Sequence, residues 1–401
     1  MLSQPFLAYG RQSIDQTDID HVVEALKSDF LTTGPWVERF ERELAAYVGA
    51  EEAVVVANGT AALHLAMLAL GIGPSDVIIV PAITFVASAN CAAFCGSQVV
   101  FADVDPVTGL MTDETFEDAL NIVRRDYSEL RFAGIVPVHY AGRPVPLDQI
   151  AGRCAELGAF VVEDACHALG TVDKGVMIGA CRYSDMAVFS FHPVKTLTTG
   201  EGGAIMTNDP ELARKLRALR SHGLERDPAR FTGLGFGDDR DSGPWVYEMQ
   251  ALGYNYRLPD LNCALGVSQL SKMPHFAARR RRLVELYQAA LASARMPVSW
   301  APPMPDSDPV FHLMAVQIDY QSLGKTRTEI MFELKAGGVG TQVHYIPVHR
   351  QPYWQQHALA QRNLPGADTY YSQTLSLPLY PDMTDSDPAA VMAILKEVCG
   401  V

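Results

Sequence analysis

The run Ser190-Phe191-His192-Pro193-Val194-Lys195-Thr196-Leu197-Thr198-Thr199-Gly200-Glu201-Gly202-Gly203 decides how this chain reads. The apolar segment 185–191 leads into it and the apolar segment 203–207 leads out, and both have the character of buried strands. Lys195 therefore falls on an irregular turn between two strands, beside apolar walls. Burial disfavours the ammonium form of an amine and makes the amine a better nucleophile. An amine held this way can form a Schiff base with an aldehyde. Taken alone, the run also reads as a surface lysine on a Gly-rich loop.

Three further segments bear on that choice. In Phe160-Val161-Val162-Glu163-Asp164-Ala165-Cys166-His167 an apolar strand ends in two carboxylates, with a histidine close behind. Ligands of α/β folds gather outside the carboxyl ends of strands. Asp164 can there hold a pyridinium nitrogen protonated, so that the ring withdraws electrons. It can equally cap a helix, and His167 alone reads as an ordinary core histidine. In the stretch 53–71 a β-branched run gives way to a helix pattern that opens at Gly59-Thr60 and closes at Gly71. A helix start is a phosphate site, with the Thr60 hydroxyl as an added donor, or simply a capped end. In Pro81–Asn90, Phe85 stands at a strand-to-helix corner, where it can stack on a flat ring or fill the core.

These four segments, in this order and spacing, resemble the DegT/DnrJ/EryC1/StrS family of sugar aminotransferases. The similarity runs from Leu31–Pro35 to Ser376–Pro378. It implies an α/β, fold-type I architecture like that of aspartate aminotransferase. The large domain would hold a mixed, mostly parallel sheet, and a smaller α+β domain would follow it. It implies pyridoxal 5′-phosphate as cofactor, with Lys195 as its covalent anchor and Asp164 on its ring nitrogen; these two are the expected catalytic residues. His167 would contact the ring hydroxyl and Phe85 would stack on the ring. Gly59, Thr60 and Ser190 would bind the phosphate. Asn255 would reach the phosphate held by a neighbouring subunit, which implies a homodimer with shared active sites.

A finer similarity lies in 163–170, 191–195, 249–258 and 342–345, which resemble the pseudaminic-acid branch of the family. That branch transfers an amino group from L-glutamate to C4 of a UDP-linked 4-keto-6-deoxy-N-acetylhexosamine. The matching substrate positions are Tyr9, Phe30, Leu31, Thr32, Thr33, Gln342, Val343, His344 and Tyr345. Three rivals stay open: an aminotransferase for another nucleotide sugar such as a dTDP-linked one, a sugar dehydratase using pyridoxamine phosphate, and a non-catalytic regulator. The dehydratases carry histidine at the lysine position, and a regulator should have lost Lys195 or Asp164.

Composition sets outer bounds. The 401 residues suffice for a large core and two domains. Hydrophobic residues make up 48% and charged ones 19%, the balance of a water-borne globular enzyme. The formal charge of −14 argues against a nucleic-acid partner. No apolar run reaches the length of a membrane span and the start lacks the pattern of a leader, so cytoplasm is the expected location. Cysteines 91, 95, 154, 166, 181, 263 and 399 form no C-x-x-C pair, and neither they nor His139, His344 and His349 show metal-ligand spacing. Gly233–Gly237 lacks the full dinucleotide glycine pattern.

Periodicity supplies the organisation. Thr17–Asp20 resembles a capping box for a helix running to about Lys27, and a second helix runs from Pro35 to a stop at Gly49. Strands are expected near 53–57, 77–80, 98–104, 134–139, 160–164, 185–191 and 203–207, mostly separated by helices. Residues 224–247 read as a long loop at the site or a subunit interface. Later come a strand 310–318, a helix 327–336 and a strand 340–345. Arg279–Arg282 reads as a solvated helix face or a dimer contact. The expected division is an arm 1–12, a large domain 13–255 and a small domain 256–401.

Overall fold

A computed structural model describes residues 6–233, 243–302, 304–356 and 363–400. Two helices come first. Helix α1 spans Gln16–Lys27 and α2 spans Pro35–Val48. The cap of α1 is Asp15, not Thr17: the Asp15 and Asp18 carboxylates each accept the other residue's backbone N–H. Thr17 falls inside the first turn. Helix α2 starts on Pro35 and ends at Gly49, whose positive φ of 84° suits a residue without Cβ.

The large sheet holds β1 (Glu52–Val56), β2 (Asp76–Pro81), β3 (Gln98–Ala102), β4 (Arg131–Ile135), β5 (Phe160–Asp164), β6 (Met186–Ser190) and β7 (Gly203–Thr207). Their spatial order is β1-β7-β6-β5-β4-β2-β3. Only β7 runs against its neighbours; the other six are parallel. The sheet is thus the mixed, mostly parallel one that the sequence predicts, with helices such as α3 (Gly59–Ala69) and α4 (Ala87–Phe94) between strands. Helix α3 is apolar nearly all round and almost wholly buried, so it is a core element rather than a surface one.

Strand β4 begins and ends earlier than the expected 134–139. Pro137 has no N–H to donate, so the regular ladder stops before it. The Pro137 carbonyl still accepts the Asp164 N–H at 2.8 Å, and the His139 N–H donates to the Asp164 carbonyl at 3.1 Å. The chain therefore stays beside Asp164 without remaining a strand.

Three short strands, Val298–Trp300, Met314–Ile318 and Thr374–Leu377, form a separate antiparallel sheet. With Arg327–Ala336, Asp387–Cys399 and the far half of Met273–Ser293 they enclose a third core, drawn from residues 283–399. The helix Asp260–Ser271 and the start of Met273–Ser293 pack instead with α1, α2 and the second core.

The expected strand 310–318 loses its first half. The Val310 N–H donates to Thr171 and the His312 N–H to the Ala141 carbonyl, so this stretch bonds to the large domain's loops rather than to a sheet. The expected strand 340–345 reduces to a single bridge between Gln342 and Ser376. The arginine run departs most from its reading. Arg280 is fully buried and donates to the carbonyls of Phe311, His312 and Leu379, whereas Arg279 and Arg282 pair with Asp385 at the surface. In the 224–247 segment, Leu224–Glu225 pairs with Glu248–Met249, and the Glu248 carboxylate accepts the Thr232 and Gly233 amides. Residues 234–242, which include most of the glycine-patterned stretch 233–237, lie outside the described residues.

Where β7 leaves the loop, Gly203 lies against the start of α3. A Cβ on it would fall 2.6 Å from the Asn58 carbonyl carbon and 2.8 Å from the Gly59 nitrogen, both backbone atoms. Overpacking of this kind costs about 1–3 kcal/mol. Gly203→Ala is expected to lose about that much stability in chemical denaturation and to weaken retention of a phosphate-bearing ligand at Gly59. Wild-type values for both would contradict the close crossing.

Candidate active site

Because β1, β2, β5 and β6 are parallel, their carboxyl ends open on one edge of the sheet. Gly59 and Thr60 follow β1, Phe85 follows β2, Asp164 ends β5, and Ser190 ends β6 with Lys195 in the turn beyond. Sequence positions far apart thus arrive at one cleft of about 870 Å³. Its lining includes Tyr9, Gly59, Thr60, Phe85, Asp164, His167, Ser190, Lys195, Gln342, Val343, His344 and Tyr345. Phe30, Leu31, Thr32, Thr33 and Asn255 do not line it; all five are exposed in the single chain. That segment is held elsewhere: the Asp260 carboxylate accepts the Gly34 and Trp36 amides at 2.7 and 3.0 Å, and the Asp260 N–H donates to the Leu31 carbonyl.

The loop carrying Lys195 is knitted by its threonines. Thr198 donates to the Phe191 carbonyl, Thr199 to that of Glu201, and the Lys195 N–H to that of His192. The amine end sits inside the cavity. Burial pushes its pKa below the ordinary lysine value, and the neighbouring Cys166 and Asp164 oppose part of that shift.

Asp164 is 5% exposed. Its Oδ2 accepts the Ser88 hydroxyl at 2.6 Å and its Oδ1 accepts the Cys166 N–H at 3.2 Å. Ser88 is in turn 2.7 Å from the Thr84 hydroxyl. Among the described residues Asp164 forms no ion pair; none within 4.0 Å includes it. A buried carboxylate in this state fits a ligand that brings a protonated nitrogen.

At the start of α3, the Asn58 side chain accepts the Ala61 amide, while the Gly59 and Thr60 amides find no acceptor among the described residues. The Thr60 and Ser190 hydroxyls are likewise uncommitted and face the same cleft. A Cβ on Gly59 would sit 3.0 Å from the Ser190 Cβ and 3.3 Å from the Cys166 sulfur, so only glycine fits without displacement there. Two free amides and two hydroxyls at a helix N-terminus make an anion cradle. Phe85, 55% exposed, presents its ring to the cleft and offers a stacking face. The amine, the carboxylate, the aromatic face and the cradle together fit pyridoxal phosphate: an aldehyde, a ring nitrogen, a flat ring and a phosphate.

Several groups in the lining or directly behind it escaped sequence reasoning. Ser88 lies in the quoted run 81–90, but nothing in its spacing aims it at Asp164. His312 is buried against His167, with ring centroids 4.4 Å apart, and its Nδ1 has no partner among the described residues. Its only sequence signal was a histidine at the head of an apolar stretch. His64 also lines the cleft, and burial lowers its pKa. His344 is driven down to about 3 by burial and by Lys195, so it is a neutral ring at neutral pH. His139 proves to be a satisfied core histidine, 2.6 Å from Glu163 through Nε2 and accepting the Val145 amide at Nδ1. The cleft lining contains no arginine. No group of three metal-ligating side chains is gathered among the described residues.

Comparison with known proteins gives the same picture. The model of the DegT/DnrJ/EryC1/StrS aminotransferase family matches residues 12–396. The chain is 38% identical over 396 residues to the spore coat polysaccharide biosynthesis protein SpsC of Bacillus subtilis (strain 168), covering 98% of this chain and 97% of the relative. Helicobacter pylori PseC, an aminotransferase involved in the biosynthesis of pseudoaminic acid, superposes with a TM-score of 0.87 at 27% identity over 98% of this chain and 99% of that one. Spr1654 of Streptococcus pneumoniae in its PLP form superposes with a TM-score of 0.85 at 26% identity, over 99% and 98% of the two chains; it is also solved in a PMP form. The chain belongs to the DegT/DnrJ/EryC1/StrS aminotransferase family and is a pyridoxal-phosphate-dependent sugar aminotransferase.

Proposed function

We propose that this enzyme transfers an amino group from L-glutamate to C4 of a UDP-linked 4-keto-6-deoxy-N-acetylhexosamine. The observation that carries the reading is the cleft itself, where Lys195 and Asp164 share a space with the Gly59–Thr60–Ser190 cradle and with Tyr9, Gln342 and His344. The likeness to PseC and the sequence strings shared with the pseudaminic-acid branch support the choice of sugar. A second reading, a different nucleotide-linked keto sugar, draws on the higher identity to SpsC.

Each residue then has a proposed task. Lys195 anchors the cofactor through Nζ and, once displaced, moves a proton from Cα of the amino donor. Asp164 holds the ring nitrogen protonated, and Ser88 orients its carboxylate. Phe85 covers one ring face, His167 serves the hydroxyl edge, and Gly59, Thr60 and Ser190 take the phosphate. Bound there, pyridoxal phosphate supplies the aldehyde carbon that accepts the amine and an electron-withdrawing ring. Tyr9, Gln342, Val343, His344 and Tyr345 line the part of the cleft left for the sugar nucleotide. Asn255 and Phe30–Thr33 do not line their own cleft, and the Phe30–Thr33 segment is tied to Asp260, which suits a homodimer in which they complete the partner's site. The arm 1–12, large domain 13–255 and small domain 256–401 would meet at this cleft, since Tyr9 comes from the first and His312 from the last. Seven free cysteines suit a reducing cytoplasm, and no helix among the described residues is long and apolar enough to cross a membrane.

Lys195→Ala is expected to abolish transamination and the visible absorption of the loaded enzyme, a loss beyond the roughly 10²–10⁴-fold typical of a missing general base. Turnover with the band intact would refute its role. To choose between sugars, the pyridoxamine-phosphate form would be mixed with UDP- and dTDP-linked 4-keto sugars; return of the visible band only with the UDP-N-acetyl compound supports the first reading, and return only with another nucleotide supports the second.

A pH dependence follows from the lysine. Only the neutral amine attacks an aldehyde, and burial lowers the Lys195 pKa, so the neutral form appears at lower pH than for an ordinary lysine. The rate of covalent loading of apo-enzyme should rise with pH and reach its half-maximum below the ordinary lysine value of 10.5. A midpoint at or above that value would contradict the desolvated amine.

A further inference from the structure

Behind Asp164 stands a short chain of hydroxyls. Its Oδ2 accepts from Ser88 at 2.6 Å, and the Ser88 oxygen lies 2.7 Å from that of Thr84. Ser88 is 0% exposed and Thr84 1%, so bulk water takes no part, although Thr84 belongs to the wall of the cleft. A hydroxyl has one hydrogen to give. Ser88 has two acceptors in reach, the Asp164 carboxylate and the Phe85 carbonyl at 3.2 Å. The bond to the ionised oxygen is shorter and is the stronger of the two. The Ser88 hydrogen therefore points at Asp164. Two hydroxyl oxygens 2.7 Å apart need a hydrogen between them, and here it can come only from Thr84. The order is fixed: Thr84 donates to Ser88, and Ser88 donates to Asp164.

Local structure holds the chain in place. Thr84 and Ser88 flank the corner that leads from β2 into α4. Just before the corner, the Val348 N–H donates to the Ala82 carbonyl and the Ala82 N–H to the Ala102 carbonyl, both at 2.9 Å. Just after it, the Ser88 N–H donates to the Phe85 carbonyl and the Cys91 thiol to the Ser88 carbonyl, both at 3.2 Å. Ser88 falls in the first turn of α4, whose N-terminal end favours a nearby anion.

A hydrogen bond donated to a carboxylate favours its ionised form and weakens its hold on a proton. A second donor behind the first polarises it and strengthens the effect. The groups that sense Asp164 are Lys195, Cys166, Cys91 and Tyr345. Burial keeps both thiols and the phenol protonated and works against the charge of the lysine, so none is a fixed cation beside the carboxylate. Asp164 and a ring nitrogen would share one proton, and the ring withdraws electrons most strongly when it holds that proton. We propose that Thr84 is a positioning residue which, through Ser88, keeps the shared proton on the ring nitrogen and off Asp164. This rests on the cofactor placement proposed above and adds a second residue, and a direction, to the orienting task of Ser88.

The place of the proton can be read directly. Wild-type holoenzyme carrying pyridoxal phosphate labelled with ¹⁵N in the ring should resonate at the pyridinium position. Ser88→Ala should move the resonance toward the neutral-pyridine position, and Thr84→Val should move it the same way by less. The double variant should go no further than Ser88→Ala, because Thr84 acts through Ser88. A purely packing role for Thr84 would alter stability and leave the resonance where it is. A Thr84→Val resonance equal to wild type therefore overturns the proposal, as does a double-variant shift equal to the sum of the single ones. Should a variant fail to fold, the wild type still decides. Neutron diffraction of deuterated apo-enzyme should place the Ser88 deuteron on the line to Asp164 and the Thr84 deuteron on the line to Ser88. A Ser88 deuteron aimed at the Phe85 carbonyl overturns the relay. A wild-type resonance at the neutral position, with the deuterons in the expected order, would overturn the cofactor placement itself and the proposal with it.

Discussion

A carboxylate buried without a cation is the constraint that organises this enzyme. Removing such an ion from water has an effective penalty of several kcal/mol, offset only by partners of opposite charge or by hydrogen bonds. Asp164 has two hydrogen bonds, from Ser88 and Cys166, and no ion pair among the described residues. Lys195 lies near enough to feel it, yet burial works to strip that amine of its charge. The folded chain thus holds an anion and a reactive amine in one dry space, and a ligand carrying a protonated ring nitrogen and an aldehyde relieves both.

The sheet makes the meeting possible. Parallel strands put their carboxyl ends on a common edge, so residues separated by more than a hundred positions become neighbours without special loops. The reversed strand β7 returns the chain from the lysine loop across the start of α3, and glycines at 59 and 203 permit the contact. Residues of the C-terminal part then close the cleft. Their placement relies on polar anchors: Arg280 on the 311–312 carbonyls, Tyr140 on His344, and Ser376 on the His344 ring at 2.8 Å.

Strands of the large sheet were legible because both of their faces are covered and their apolar runs are nearly continuous. Departures occurred where a backbone donor was missing or was drawn to a partner outside the sheet. Pro137 cut β4 short, and the 310–313 stretch was drawn off its strand by bonds to Thr171 and Ala141. Arg280 looked solvated because its neighbours in the run are charged, but a helix turns each residue by about 100°, and this one faces the core.

What the amino-acid order determined by itself was local: the strand-to-turn context of Lys195, the carboxylates closing β5, the glycine opening α3, the aromatic corner at Phe85. These motifs lie within single segments, where backbone geometry and burial leave a pattern in neighbouring residues. Only the tertiary structure decided which side chains meet across segments. It joined Ser88 to Asp164, set His312 on His167, and left Asn255 and Phe30–Thr33 outside their own cleft. Those contacts depend on crossing angles and loop paths summed over the whole chain, and no short stretch of sequence carries that information.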